Sequence, residues 1–206
     1  MSRQDISINP RILESAKKEF LLHGYEKAST NVICKNAGVT WGALAKRYSG
    51  KDELFCSLVA PIANQFKIAL QTENDRFHSL SYQEQEIVAL GAGVEASEFV
   101  DYIYDNFDVF RLLIVCAKGS SYENYLDELV EILVTSTVRF MEESNHKAII
   151  LGQEATLETI HVLISSYLHG YFEPIIHGMS REKARLYVNQ LKYFFNVGWS
   201  DILRLK

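Results

Sequence analysis

Three prolines and three cysteines in 206 residues leave little room for several classes of protein. Cys34, Cys56 and Cys116 lie far apart and are odd in number, which provides neither a disulfide framework nor a C-x-x-C metal knuckle. They read as reduced, buried thiols. With 48% hydrophobic and 23% charged residues and no low-complexity tract, the composition is that of a folded globular chain, not a disordered one. No apolar run approaches the ~20 residues of a membrane span, and MSRQDISINP lacks the apolar stretch of a signal peptide. The expectation is a cytoplasmic protein with no membrane partner. Catalytic signatures are missing too: there is no G-x-S-x-G, no H-E-x-x-H and no cysteine in a nucleophile motif. The sequence thus gives no sign of an enzyme or a cofactor. Gly91-Ala92-Gly93-Val94-Glu95-Ala96 spells a dinucleotide fingerprint, but SYQEQEIVAL before it reads as helix and no strand–helix alternation follows, so a break between helices is expected.

Alternating strand patterns are also missing, and apolar residues recur at helical spacing nearly throughout, which predicts an all-α fold. Asn9 as N-cap and Pro10 open a first helix with Ile12, Leu13, Ala16, Phe20 and Leu21 on one face and Gly24 as its stop. Ser29 or Thr30 can cap a second helix, ended by Gly38. Thr40 caps a third, with Leu44 and Tyr48 inward. Two short helices around Ala37-Gly38-Val39 form a helix-turn-helix candidate. Ser49 and Asp52 suggest a capping box for a long fourth helix reaching about residue 77, interrupted or kinked at Pro61. Further helices are expected near 83–90, 97–117, 122–143, 153–177 and 181–203. The expected domains are 1–51 and 52–206.

The net charge of −5 is unevenly spread. Residues 1–55 carry nine Lys/Arg against six acids, a net +3, and the remainder twelve against twenty, a net −8. A basic module on an acidic body points to a local contact with phosphate. The middle of the chain is aromatic, and Phe66, Tyr102, Phe107, Phe110, Tyr125 and Phe140, with His161 and Ser165, are candidate lining for a small-molecule pocket or ordinary core. Arg111 on a largely apolar helix needs a partner, whether Asp108, another acid or an anionic ligand. His169, Glu173 and His177 share one helical face and could hold a transition metal, but Pro174 distorts that register and no metal site is predicted. The last two helices are apolar on more than one face. Tyr167, Tyr171, Phe172, Leu191, Phe194, Phe195 and Trp199 are therefore candidates for covering by a second copy of the chain.

The span Ile12–Leu58 resembles the DNA-binding domain of the tetracycline-repressor (TetR) family of transcriptional regulators. Of the pattern I-A-x-x-A-G-V-S-x-G-x-L-Y-x-[YH]-F-x-S-K-x-x-L, the chain supplies Ile33, Ala37, Gly38, Val39, Gly42, Leu44, Lys51 and Leu54 unchanged, with Thr40 for Ser and Tyr48 for Phe. Gly24-Tyr25 and Thr30 also fall in place, and YFFNVGWSDIL looks like the last helix of many members. The resemblance implies a homodimer of all-helical subunits, each with a three-helix DNA-binding domain and a larger helical domain for ligand binding and dimerisation. It implies as partners a palindromic double-stranded operator and a small-molecule effector that releases the protein from DNA.

On that resemblance Thr40, Trp41 and Ala43 are the expected base readers and Gly42 permits close approach, while Thr30, Lys46, Arg47, Tyr48 and Lys51 are expected at phosphates. The chain departs from the family where a phosphate-contacting Tyr is Ala45, an aromatic or His position is Arg47, a common Ser or Asn is Gly50, and Cys34 stands at a usual Ala. The expected function is a ligand-responsive repressor. The alternatives are a same-fold DNA binder without a ligand, or a helical metal binder or enzyme using the His169/Glu173/His177 face.

Overall fold

The computed structural model describes residues 8–89 and 97–204, so the Gly91–Ala96 stretch lies outside the described residues. The described chain is helical apart from one two-residue hairpin. It forms two compact units, residues 1–65 with 106–125, and residues 66–105 with 126–206. The first unit therefore extends past the expected boundary at Lys51, taking in the start of the fourth helix and a segment from the middle of the chain.

In the first unit α1 spans Ile8–Lys27, α2 Thr30–Ala37 and α3 Trp41–Ala45. Asn9 and Pro10 lie inside α1, one and two residues after its start at Ile8 and not at its cap. Gly24 kinks α1 at φ 72°, where a Cβ would be strained. Ile12, Ala16 and Phe20 are fully buried, as are Ile33, Leu44, Leu54 and Phe55, and Phe20 meets Phe55 edge-on at 5.1 Å. Two buried polar groups lash α1 to α2. Ser15 Oγ donates to the Ile33 carbonyl at 3.0 Å, and the Glu19 carboxylate accepts the Ser29 N–H at 3.0 Å. Ser29, not Thr30, is the N-cap of α2. Gly38 ends α2 in the left-handed conformation, φ 64°, donating back to the Lys35 carbonyl while the Val39 N–H reaches the Cys34 carbonyl, which satisfies the helix's last acceptors.

α4, Lys51–Ser79, continues through Pro61, which is exposed, without ending. Its capping group is Glu53, whose carboxylate accepts the Ser49 N–H at 2.6 Å, and not Asp52. Asp52 turns instead to Ser121, taking its N–H at 2.9 Å and its hydroxyl proton. Burial disfavours the Asp52 carboxylate, but the Ser121 bonds, with support from Cys56 and Tyr25, prevail and hold its pKa below the ordinary value. The segment 106–125 packs into this unit as α7, Phe107–Arg111, followed by a π-helical turn, Leu112–Cys116, that lies on α1. Tyr125 is buried and its hydroxyl donates to the Ala63 carbonyl at 3.1 Å. Cys34 and Cys116 are buried, while Cys56 is only partly so.

In the second unit α5 covers Tyr82–Ala89 and α6 Ser97–Asp105. α8 is Tyr125–Glu143, and α9 and α10 are Leu157–Ile176 and Arg181–Leu203. The expected helix 97–117 is thus split at Asn106. Strands β1, Ile149–Ile150, and β2, Gln153–Glu154, pair antiparallel about Leu151 and Gly152, both at positive φ as a primed hairpin turn requires. α6 packs on α10 through Val100, Ala184 and Val188. At the rim of that contact Arg185 Nε meets Asp101 at 2.9 Å and Arg181 meets Asp105 at 2.5 Å. α9 and α10 approach closely because Gly170 leaves room for Leu191, whose methyl carbons would stand 3.2–3.3 Å from a Cβ there.

Candidate functional site

α3 is only five residues long, too short to persist by itself, so its position depends on its ends and on one buried anchor. The Thr40 hydroxyl oxygen accepts the Ala43 N–H at 3.2 Å and caps its start. Leu44 is fully buried beneath it, and Tyr48, one turn later, is 8% exposed. Just past its end, Arg47 donates from Nε to Asn9 Oδ1 at 2.6 Å and from Nη1 to the Ala43 carbonyl at 3.0 Å. The helix is thereby pinned to both α1 and itself.

What it presents outward is Thr40, Trp41, Gly42, Ala45 and Lys46, all exposed, with Ala43 half-buried. Trp41 is 54% exposed, an unusual place for so large an apolar surface in the absence of something that covers it. Among the described residues nothing would stand within 4 Å of a Cβ at Gly42, so the first unit places no demand for glycine there. Thr30 begins α2, half-buried.

Besides Arg47, two more of the expected phosphate contacts have internal work. Lys51 directs its ammonium to the carbonyls of Tyr25, Glu26 and Ala28 at 2.8, 3.1 and 3.4 Å, and sits 4.6 Å from the centre of the Tyr25 ring. An ammonium has three protons, so these carbonyls match its donors, and Lys51 seals the end of α1. Tyr48 belongs to the core, and burial raises its pKa. Sequence reasoning missed Asn9 and Glu19, whose partners lie 38 and 10 residues away. The one signal was their polarity beside an apolar helical face.

The second unit holds a cleft of about 690 Å³ lined by Phe77, Phe99, Phe140, Tyr167, Phe195 and Trp199. Of the residues expected around a ligand, only Phe140 lines it. Phe66 and Tyr102 form a ring cluster with Phe99 and Phe172 outside the lining. Phe107, Phe110, Arg111 and Tyr125 lie in the first unit. Arg111 is exposed there, and Asp108 pairs with Lys17 at 3.4 Å instead. His161 meets Glu131 at 3.4 Å, and Ser165 Oγ lies 3.3 Å from His169 Nδ1.

Tyr167, Phe195 and Trp199, expected at a subunit contact, line the cleft. Burial lifts the Tyr167 pKa to about 12. Phe172 is fully buried in the unit, Tyr171 packs on the Val100/Ala184/Val188 cluster, and Leu191 fills the space at Gly170. Among those seven, Phe194 is the one at the open face, 72% exposed. Leu186, Tyr193 and Val197 of α10 and Val162 and Ile176 of α9 are exposed with it.

The metal alternative finds no support in the geometry. His169 Nδ1 is 2.9 Å from the carbonyl of Ser165 on its own helix, Glu173 pairs with His177 at 2.9 Å, and no three ligating side chains converge among the described residues. No helix among the described residues is long and apolar enough to cross a membrane.

Comparison with known proteins agrees with this arrangement. The profile of bacterial regulatory proteins of the tetR family matches residues 12–58, the span that holds α2, α3 and their supports. The HTH-type transcriptional repressor AcnR of Corynebacterium glutamicum is 23% identical over 176 residues, covering 83% of each chain. Its counterpart in Corynebacterium efficiens is 23% identical over 185 residues, 86% of this chain and 88% of the other. Two solved structures described as TetR-family transcriptional regulators share the fold. The one from Mesorhizobium loti has a TM-score of 0.52 at 13% identity, covering 96% and 98% of the two chains. The one from Syntrophomonas wolfei has a TM-score of 0.57 at 15% identity, covering 93% and 96%. The matched helix-turn-helix and these full-length likenesses agree: residues 12–58 carry the domain of bacterial regulatory proteins of the tetR family, and the chain as a whole is similar to TetR-family repressors.

Proposed function

We propose that the chain acts as a homodimeric transcriptional repressor that reads a palindromic operator with α3 and releases it when a small molecule occupies the cleft of the second unit. The observation that carries this reading is the contrast within α3. Its inner side is fixed by Leu44, Thr40 and Arg47, while Trp41 stands open to be covered. A short helix so held enters a major groove without ordering cost, its N-terminal residues at base edges. Trp41 and Ala43 offer apolar contact to thymine methyls, and the Thr40 hydroxyl, whose oxygen already caps the helix, keeps its proton to donate. Lys46, exposed beside them, is the phosphate ligand of choice, while Arg47 holds the helix in place and Lys51 seals the end of α1.

Effector action follows from linkage: a ligand that prefers the arrangement unable to bind DNA shifts the population by its differential affinity. α4 and α8 each contain residues of both compact units, so either helix is a route for that coupling. The test is selection of operator sequences from a random pool by the purified protein, followed by titration over a range of salt. A palindromic consensus bound with steeply salt-dependent affinity supports the reading, and recovery of no consensus refutes it.

A further inference from the structure

The rings that line the cleft are held in place by one another and by rings behind them. Phe140 of α8 lies nearly parallel to Tyr82 and to His146, at interplanar angles of 14° and 11° and with ring centres 6.5 and 6.2 Å away. Phe77 of α4 meets Phe140 at 5.5 Å. From α9, Tyr167 meets Phe195 edge-on at 5.2 Å, and Trp199 follows Phe195 by one turn of α10, on the same helical face. Rings fixed in this way present a preformed surface, so a flat apolar body binds with little ordering cost.

Charge in this wall is already engaged. Glu73, Arg76, Glu84 and Lys192 are its charged residues, two acids against two bases. Glu84 accepts the N–H and hydroxyl of Ser81 at 2.8 and 2.6 Å, and Glu73 stands 3.8 Å from Arg76. Lys192 also interacts with another group of the protein, and burial lowers its pKa, which marks a place that disfavours charge. Burial raises the Tyr167 pKa to about 12, so its hydroxyl is neutral at physiological pH.

From this arrangement we infer that the cleft takes an uncharged molecule built of flat aromatic rings, held by ring and apolar contacts, and discriminates against charged analogues of the same shape. The volume, about 690 Å³, is that of a site for a drug-sized ligand. Ring pairs contribute beyond the area they bury. An ionic group carried into the cleft loses its water and finds the charges of the wall already engaged, a cost that an uncharged ligand avoids. The inference rests on reading the cleft as the effector site, and adds the class of effector.

Two pairs of fluorescent probes test it: N-phenyl-1-naphthylamine against its anionic 8-sulfonate, and 9-methylanthracene against the cationic anthracen-9-ylmethyl trimethylammonium. Binding is followed by probe emission. Its place is read by energy transfer from Trp199 in a Trp41→Phe background, where it is the remaining one of the chain's two tryptophans. In each pair the neutral probe is expected to bind about ten-fold or more tightly than its charged partner and to quench Trp199. A charged partner bound as tightly as its neutral probe, or neither neutral probe bound at its solubility limit, overturns the inference, and neither result depends on a variant that folds. Binding without transfer from Trp199 places the probe outside the cleft and overturns it as well. Operator release, measured with Trp41 intact, separates the two readings. A neutral probe bound beside Trp199 without release refutes the effector role but keeps the class of ligand. Release by the charged partners as readily as by the neutral probes keeps the effector role and overturns the class.

Discussion

Arg47 and Asn9 are joined by a 2.6 Å hydrogen bond across 38 residues of sequence, from the exit of α3 to the first turn of α1. A cation next to a DNA-reading helix invites assignment to phosphate, but this guanidinium also bonds the Ala43 carbonyl and acts as a brace. Lys46, exposed one residue earlier, has no such bond among those described for the first unit. Lys46→Ala should weaken binding to all DNA sequences alike and reduce the slope of log affinity against log salt by about 1. Arg47→Ala should lower the stability of the protein by ~1 kcal/mol and keep most of the slope. Both follow from fluorescence anisotropy at several salt concentrations and urea unfolding. A full unit of slope lost with Arg47 would return it to the phosphates.

Trp41→Ala should leave thermal unfolding nearly unchanged, because a side chain 54% exposed contributes little to the core. Discrimination between the selected operator and a scrambled duplex should fall by ~1–3 kcal/mol. Unaltered discrimination removes Trp41 from the readers.

Much of this was legible in the sequence because its signals are local. The caps at Ser29 and Thr40, the stop at Gly38 and the inward pair Leu44 and Tyr48 all lie within a few residues of what they control. α10 occupies the expected residues 181–203, framed by the Ser180 cap and a continuous amphipathic pattern. Failures occurred where a polar group had two possible partners and the winner was distant in sequence. Asp52 went to Ser121 and left the cap to Glu53, and Lys17 took Asp108 from Arg111. The cleft was misread for a related reason. Aromatic residues at helical spacing do not reveal which faces a void, and Phe66 and Phe140 look alike in the chain but differ in the fold.

Lys51→Met should destabilise the first unit by ~1–3 kcal/mol, since the mutation removes a charged donor from three carbonyls at the end of α1. Its salt slope on DNA should match that of the unaltered protein. Loss of slope without loss of stability would show that the ammonium serves phosphate instead.

Asp52 sets an acid limit. Its folded pKa is depressed, so its stabilising contribution is complete above the unfolded value of ~3.9 and is lost as pH falls through the folded value. Unfolding midpoints measured from pH 7 to pH 2 should therefore decline more steeply below about pH 4 for the native protein than for Asp52→Asn. The variant should be less stable at neutral pH and converge on the native curve in acid. Parallel curves would mean that the Ser121 contact has no weight.

Phe194 and Phe172 separate surface from core on the same pair of helices. Phe172 is fully buried within its unit, and Phe172→Ala should cost ~3–5 kcal/mol of folding stability. Phe194 is 72% exposed and shares a face of α10 with Leu186, Tyr193 and Val197, each more than half exposed. An apolar stripe of this kind is what a second copy about a two-fold axis would cover in the proposed homodimer. Phe194→Glu places a charge on that apolar surface without disturbing the core. Sedimentation equilibrium should show a shift from dimer to monomer with the melting profile of the isolated subunit preserved, and operator affinity should collapse to its non-specific level. A variant that remains dimeric would mean that the copies meet elsewhere.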